Sequence, residues 1–209
     1  MNHLINAAMT LGFVGLLLAG CGSLSPRPDP SRFFTLSSLP LVEETVAQNS
    51  ASDGKTFLGI GPIKFPGYLD RQEIVVRSGQ NRFEVSENDR WAEPLDENFA
   101  RVLAQNLSAL LRTDRIVSFP WPADRKPSYQ VEIDVLCFEA NSARDAQLFA
   151  RWSILDGGTK KITAVKESRA LRQAKEKSTE GSVAALSDAL GDFSREIADA
   201  VRVIDGRVK

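Results

Sequence analysis

Histidine is almost missing from this chain: its one copy, His3, stands in an N-terminal apolar segment. If that segment is removed on maturation, no imidazole remains, which excludes Ser-His-Asp triads, Cys-His dyads and histidine-bearing zinc sites. Cysteine is nearly as scarce. Cys21 closes the apolar segment and Cys137 lies inside a strand-like run, so no disulfide framework is expected, and Cys137 reads as a buried thiol rather than a reactive one. Charge of one sign is lacking too. A net charge of −1 argues against a nucleic-acid partner, whose phosphates would call for a basic excess. No apolar run is long enough to span a bilayer: the stretch Ala7 to Gly20 falls short of the roughly 20 residues required.

That short run has another reading. Leu11 to Leu18 carries no charge and matches the apolar region of a targeting signal, and Leu18-Ala19-Gly20-Cys21 follows it. The four residues resemble the lipobox of bacterial lipoproteins, in which small residues admit the peptidase and the cysteine thiol accepts lipid. Residues 1–20 are then expected to be a lipoprotein signal peptide, with Cys21 the lipidated residue. Met1-Asn2-His3 lacks the usual Lys or Arg, and an ordinary secretory signal cut near Ala19 is the alternative. With each buried methylene contributing about 0.8 kcal/mol, several acyl chains make a stable anchor. The residue after the cysteine is Gly22 rather than Asp. By resemblance to the common lipoprotein sorting rule, this points to the periplasmic face of the outer membrane. Residues 21–31 contain Pro26, Pro28 and Pro30 between polar residues, and read as an extended tether of roughly 30 Å.

Residues 32–209 are of a size to form one domain with its own core. Strands are expected at Arg32–Leu36, Thr56–Ile63, Glu73–Arg77 and Arg82–Val85, with a polar loop over Leu41–Lys55. Pro94 opens a helix whose stripe runs Leu95, Phe99, Val102, Leu103, Leu107, Leu110 and Leu111. The period then changes to two. Tyr129, Val131, Ile133, Val135 and Cys137 share one face until Leu136 and Phe138 break the pattern. Strands around Leu148–Ile154 and Lys161–Leu171 complete a meander, and a final helix is expected from a Ser182 cap through Val201. This order predicts an α+β domain, a mainly antiparallel sheet with two helices on one face.

The search for catalytic chemistry returns little. Glu132 and Asp134 share a strand face, as solvated strand faces commonly do. Gly59-Ile60-Gly61 begins a dinucleotide fingerprint, but position 64 is Lys and no helix follows. No enzyme activity, metal or cofactor is expected, apart from the covalent lipid on Cys21. Two stretches remain outside helix or strand periodicity: Gly61 to Arg71, with two prolines and two aromatics, and Trp91-Ala92-Glu93-Pro94-Leu95. Pro66 and Gly67 form a turn that is expected to present Tyr68 and Leu69 at a domain edge, with Arg71 beside them. Pro66, Tyr68, Leu69 and Arg71 are the candidate partner-binding residues; the alternative is a structural corner with Leu69 in the core.

At these residues the chain resembles the PqiC family, auxiliary lipoproteins of ABC-type and MCE-type transport systems. The resemblance rests on Pro66, Leu69-Asp70-Arg71, Ile74-Val75 and Trp91–Glu93–Pro94–Leu95 in that order, together with "RFFTL" and "ARWSILDGG" elsewhere. It implies a non-catalytic outer-membrane lipoprotein working with an MCE-domain protein and inner-membrane components in lipid transport and envelope integrity. For some members it also implies self-association into a homo-oligomer. A lipoprotein regulator of a periplasmic cell-wall enzyme is the competing reading.

Overall fold

The computed structural model describes residues 29–40, 57–122 and 124–206; the signal segment, Cys21 and most of the tether lie outside them. From Ser31 on, the chain is one compact unit. Its strands are β1 (Arg32–Phe34), β2 (Leu58–Lys64), β3 (Glu73–Gly79), β4 (Arg82–Trp91), β5 (Ile116–Ser118), β6 (Tyr129–Asn141), β7 (Ala146–Asp156) and β8 (Ile162–Arg172). Its helices are α1 (Leu95–Leu111) and α2 (Thr179–Ile204).

The α+β class is as the sequence indicates, and the eight strands make one mixed sheet. The long ladders β6–β7 and β7–β8 and the β3–β4 hairpin are antiparallel. The shorter pairings β1–β4, β2–β5, β2–β6 and β3–β6 are parallel. Strand β6 organises the sheet. β7 occupies one edge along nearly its whole length, while β2 takes the first half of the other edge and β3 its end. β2 and β3 therefore behave as one interrupted strand, and residues 65–72 are an excursion out of it.

A bulge in β6 explains the broken alternation in the sequence. Val135 pairs with Ala150 and Cys137 with Phe149, so Leu136 is the extra residue. Beyond it the faces exchange: Phe138 and Ala140 point into the core and Cys137 does not. The core lies between the sheet and both helices. Phe99, fully buried on α1, meets Phe65 and Phe138 edge-on at 5.2 Å and Phe193 of α2 at 6.3 Å. Asp96 and Glu97 occupy the first turn of α1, where carboxylates complement the helix dipole.

Helix α2 starts earlier than its apolar stripe suggested. The cap is Ser178, whose hydroxyl accepts from Gly181 N at 3.1 Å, while Ser182 is buried inside the helix and donates to the Arg144 carbonyl. Thr179-Glu180-Gly181 contains no large apolar residue, so periodicity could not register this first turn.

Between β1 and Pro40 the chain lies as a strap over both helices. Leu36 is buried, and its amide donates to Asn98 Oδ1 at 2.8 Å. The Ser37 amide reaches Ser187 Oγ at 3.0 Å and the Leu39 amide reaches Asn106 Oδ1 at 2.8 Å. Asn106 Nδ2 continues to Ser194 Oγ of α2 at 3.1 Å. The two asparagines are almost wholly buried, and the strap supplies the partners that buried amides require. It lies close enough that a Cβ on Gly191 would stand 2.8 Å from the Leu39 side chain.

Candidate functional site

The two stretches without periodicity come together in space. After Lys64 the chain leaves the β6 ladder, makes a single 3-10 turn at Gly67–Leu69 and rejoins the sheet at Glu73. Pro66, with φ at −63°, leads into the turn, and the Leu69 amide closes back on its carbonyl at 3.0 Å. From the other direction Trp91 ends β4 in the core and Pro94 stands immediately before α1. Glu93 accepts hydrogen bonds from Arg101 and Asn98, which hold its carboxyl below the usual carboxylate range. Between turn and helix start lies a cleft of about 340 Å³. Phe65, Leu69 and Leu95 line it together with Asp70, Arg71 and Asp96. Leu69 and Leu95 are buried, whereas Asp70 and Arg71 are exposed. An apolar floor with mixed charge at its mouth can hold a protein segment.

The expected presentation of Tyr68 and Leu69 does not hold. Leu69 is only 5% exposed and belongs to the core. Tyr68 is half-buried, stacks on Phe83 with ring centroids 4.5 Å apart, and donates its hydroxyl to Glu139 Oε2 at 2.6 Å. The cause is Glu139, a fully buried carboxylate on β6. It also accepts from Arg77 Nε at 2.7 Å and from the Phe138 amide at 3.1 Å. A charge removed from water requires such a set of donors, and the excursion delivers the tyrosine to complete it. Of the four candidate residues, Arg71 is exposed on the cleft and Pro66 shapes the turn.

Burial and the neighbouring Glu139 push the Cys137 thiol up to about 12 from its ordinary 9.0, so it is unreactive at neutral pH. Burial and the bond to Glu139 raise the Tyr68 hydroxyl from 10.0. Above those ordinary values the unfolded chain gives up protons that the folded protein keeps. Stability is then intact below about pH 9 and falls as pH rises toward 12. Urea midpoints at stepped alkaline pH should show the decline, and Tyr68→Phe combined with Cys137→Ala should flatten it. An equally steep decline in the double variant would mean that other groups cause it.

The remaining sequence candidates have structural explanations. Glu132 and Asp134 lie on the sheet face opposite the helices, where Asp134 pairs in register with Arg151. Pro62 sits at the irregularity in the β2–β6 ladder, beyond the three residues of β2 that β5 pairs. Gly59 and Gly61 bind no nucleotide phosphate: a Cβ on Gly59 would stand 2.7 Å from Pro127 and 2.9 Å from the Trp121 ring, so they admit a loop rather than a ligand. Among the described residues no cluster of acidic, Cys or His side chains could hold a metal ion. No described helix is long and apolar enough to cross a membrane. The sequence did not single out the Arg77–Glu139 pair; its signal is one carboxylate inside the apolar run Val135 to Ala140.

The model of the family described as ABC-type transport auxiliary lipoprotein component matches residues 34–198, from the end of β1 into the last turns of α2. The chain belongs to this family. Among curated proteins it is similar to the intermembrane transport lipoprotein PqiC of Escherichia coli (strain K12), at 30% identity over 96 residues, 46% of this chain and 48% of that protein. The Shigella flexneri protein of the same name matches equally. The chain thus spans about half the length of the curated relatives it matches. A crystal structure of a Xanthomonas campestris protein superposes with a TM-score of 0.67 at 16% identity, covering 85% of this chain and 97% of that one. An uncharacterized protein of known crystal structure gives 0.66 at 17% identity, covering 82% and 98%. These likenesses show the fold. Of the residues that carry the family resemblance, Leu69, Ile74, Val75, Trp91 and Leu95 are core. Asp70, Arg71 and Pro94 are exposed members of the pattern.

Proposed function

We propose that this chain is a non-catalytic accessory lipoprotein of an MCE/ABC-type lipid transport system that supports envelope integrity. In this reading residues 1–20 are the signal peptide, residues 21–31 the tether and residues 32–209 the auxiliary domain. Lipid on Cys21 holds the protein at the periplasmic face of the outer membrane. The observation that carries the reading is the family match across the sheet and both helices. The PqiC relatives, named for intermembrane transport, support it. The cleft between the excursion and α1 is the docking site, with Arg71 and Asp70 at its mouth and an MCE-domain protein as the partner.

Two measurements test the reading. Metabolic labelling with a fatty-acid analogue should mark the wild-type protein and not Cys21→Ala, and unlabelled wild type would remove the anchor. Arg71→Glu, at an exposed position, should keep the wild-type melting temperature and lose at least tenfold in co-purification with the MCE-type protein. Full co-purification of that variant would place the partner surface elsewhere.

A further inference from the structure

The loop between β5 and β6 forms an aromatic and basic projection with no part in the proposed docking cleft. Phe119, Pro120, Trp121 and Pro122 make its tip, and Asp124, Arg125 and Lys126 lead on to Pro127. The base is fixed. Gly59 and Gly61 lack the side chains that would hold the loop off β2, and the Phe119 amide donates to the Ile60 carbonyl at 2.8 Å. Lys160 Nζ donates to Gln130 Oε1 at 2.8 Å, and Gln130 Nε2 donates to the Gly61 carbonyl at 3.0 Å.

The tip is open. Phe119 is 52% exposed, Trp121 is half-buried, and their rings meet edge to face at 5.4 Å. Lys160 Nζ stands 6.0 Å from the Trp121 ring centroid, and Arg125, Lys126 and Lys161 are exposed in the same loop or beside Lys160. The nearby acids oppose this charge only in part. The Asp156 carboxylate is occupied by the Gly158 and Thr159 amides, and Asp96 and Glu97 line a cleft that Phe119 borders on its α1 side. Asp124 is the one acid within the loop.

We infer that this projection rests on an anionic lipid surface, with Phe119 and Trp121 at headgroup level and Arg125, Lys126, Lys160 and Lys161 facing the phosphates. Three properties of the tip favour a bilayer over a protein partner. Pro120 and Pro122 have no backbone N–H, and that of Phe119 is already bonded, so entering the interface strands few donors. Tryptophan and cations together match the chemistry of the headgroup zone. The loop is seated on backbone, so little order is lost on contact.

The tryptophans provide the test. Trp91 and Trp152 are 5% and 2% exposed, which leaves Trp121 as the indole that lipid can reach. The full chain is reconstituted in vesicles of brominated phosphatidylcholine containing about a quarter phosphatidylglycerol. Wild-type emission should be quenched relative to unbrominated vesicles, and less so without phosphatidylglycerol or at high salt. Trp121→Phe should lose the quenching. Arg125→Glu with Lys126→Glu, at exposed positions, should reduce it at least twofold with an unchanged melting temperature. If Trp121→Phe does not fold, Phe119→Ser serves, with reduced quenching expected. Wild-type quenching that is absent, or insensitive to anionic lipid and to the charge reversals, overturns the inference. So does a Phe119→Ser protein that loses only its protein partner, because the tip would then be a protein contact. The readout reports the loop itself, so it is independent of Cys21 acylation and of Arg71.

Discussion

Arg77→Leu is expected to destabilise the protein by roughly 3–5 kcal/mol, the usual range when one member of a buried ion pair is removed. Glu139 has no exposed side-chain surface, whereas Arg77 retains 30% of its own. The variant therefore keeps a carboxylate out of water without its charged partner, with the Tyr68 hydroxyl and the Phe138 amide still donating to it. Arg77 also lies over the Phe83 ring at 4.3 Å, and Phe83 stacks on Tyr68, so the loss reaches the excursion. Replacing both members, Arg77→Leu with Glu139→Leu, should recover much of the loss because no charge is then stranded. Urea unfolding of the two variants decides the matter. If the single variant is as stable as wild type, Glu139 does not depend on Arg77.

Phe99→Ala is expected to cost a similar amount, roughly 3–5 kcal/mol, for a different reason. Phe99 is fully buried and touches rings from three other parts of the fold: Phe65 in the excursion, Phe138 in β6 and Phe193 in α2. Alanine leaves a cavity that neighbouring aromatics, fixed from several sides, can fill only in part. Because Phe65 also lines the cleft beside α1, the variant should weaken the proposed partner docking along with stability. An unchanged urea midpoint would mean that the core collapses around the missing ring.

The helices were legible because their stripes are long and their buried faces are apolar. Leu95, Phe99, Val102, Leu103, Leu107 and Leu111 are all buried, as the period of α1 indicates. Strands β6 and β7 were legible for the same reason at period two, and β8 only as their continuation in the meander. Strand β5 escaped because three residues carry no period, and β4 reads short because half of its residues are exposed. Parallel pairing is decided by contacts distant in sequence, which no local pattern records. For the site, composition marked the excursion as unusual, yet the direction of Tyr68 depended on a carboxylate 71 positions away. Asn98 and Asn106 carried no signal, since a polar residue beside an apolar stripe normally faces water and these two face the strap.

The strap has a mechanical consequence for a chain held through Cys21 in the way proposed above. Tension applied at Pro30 meets the Arg32–Asp89 ion pair and the three-residue β1–β4 ladder first. It meets the amides held by Asn98, Ser187 and Asn106 afterwards. These fastenings lie one after another along the chain, so they release in succession and each release lengthens the leash by a few residues. In the proposed tethered state the strap would act as a shock absorber, yielding together with β1 before the pairing of the other strands and the contact between the helices are disturbed.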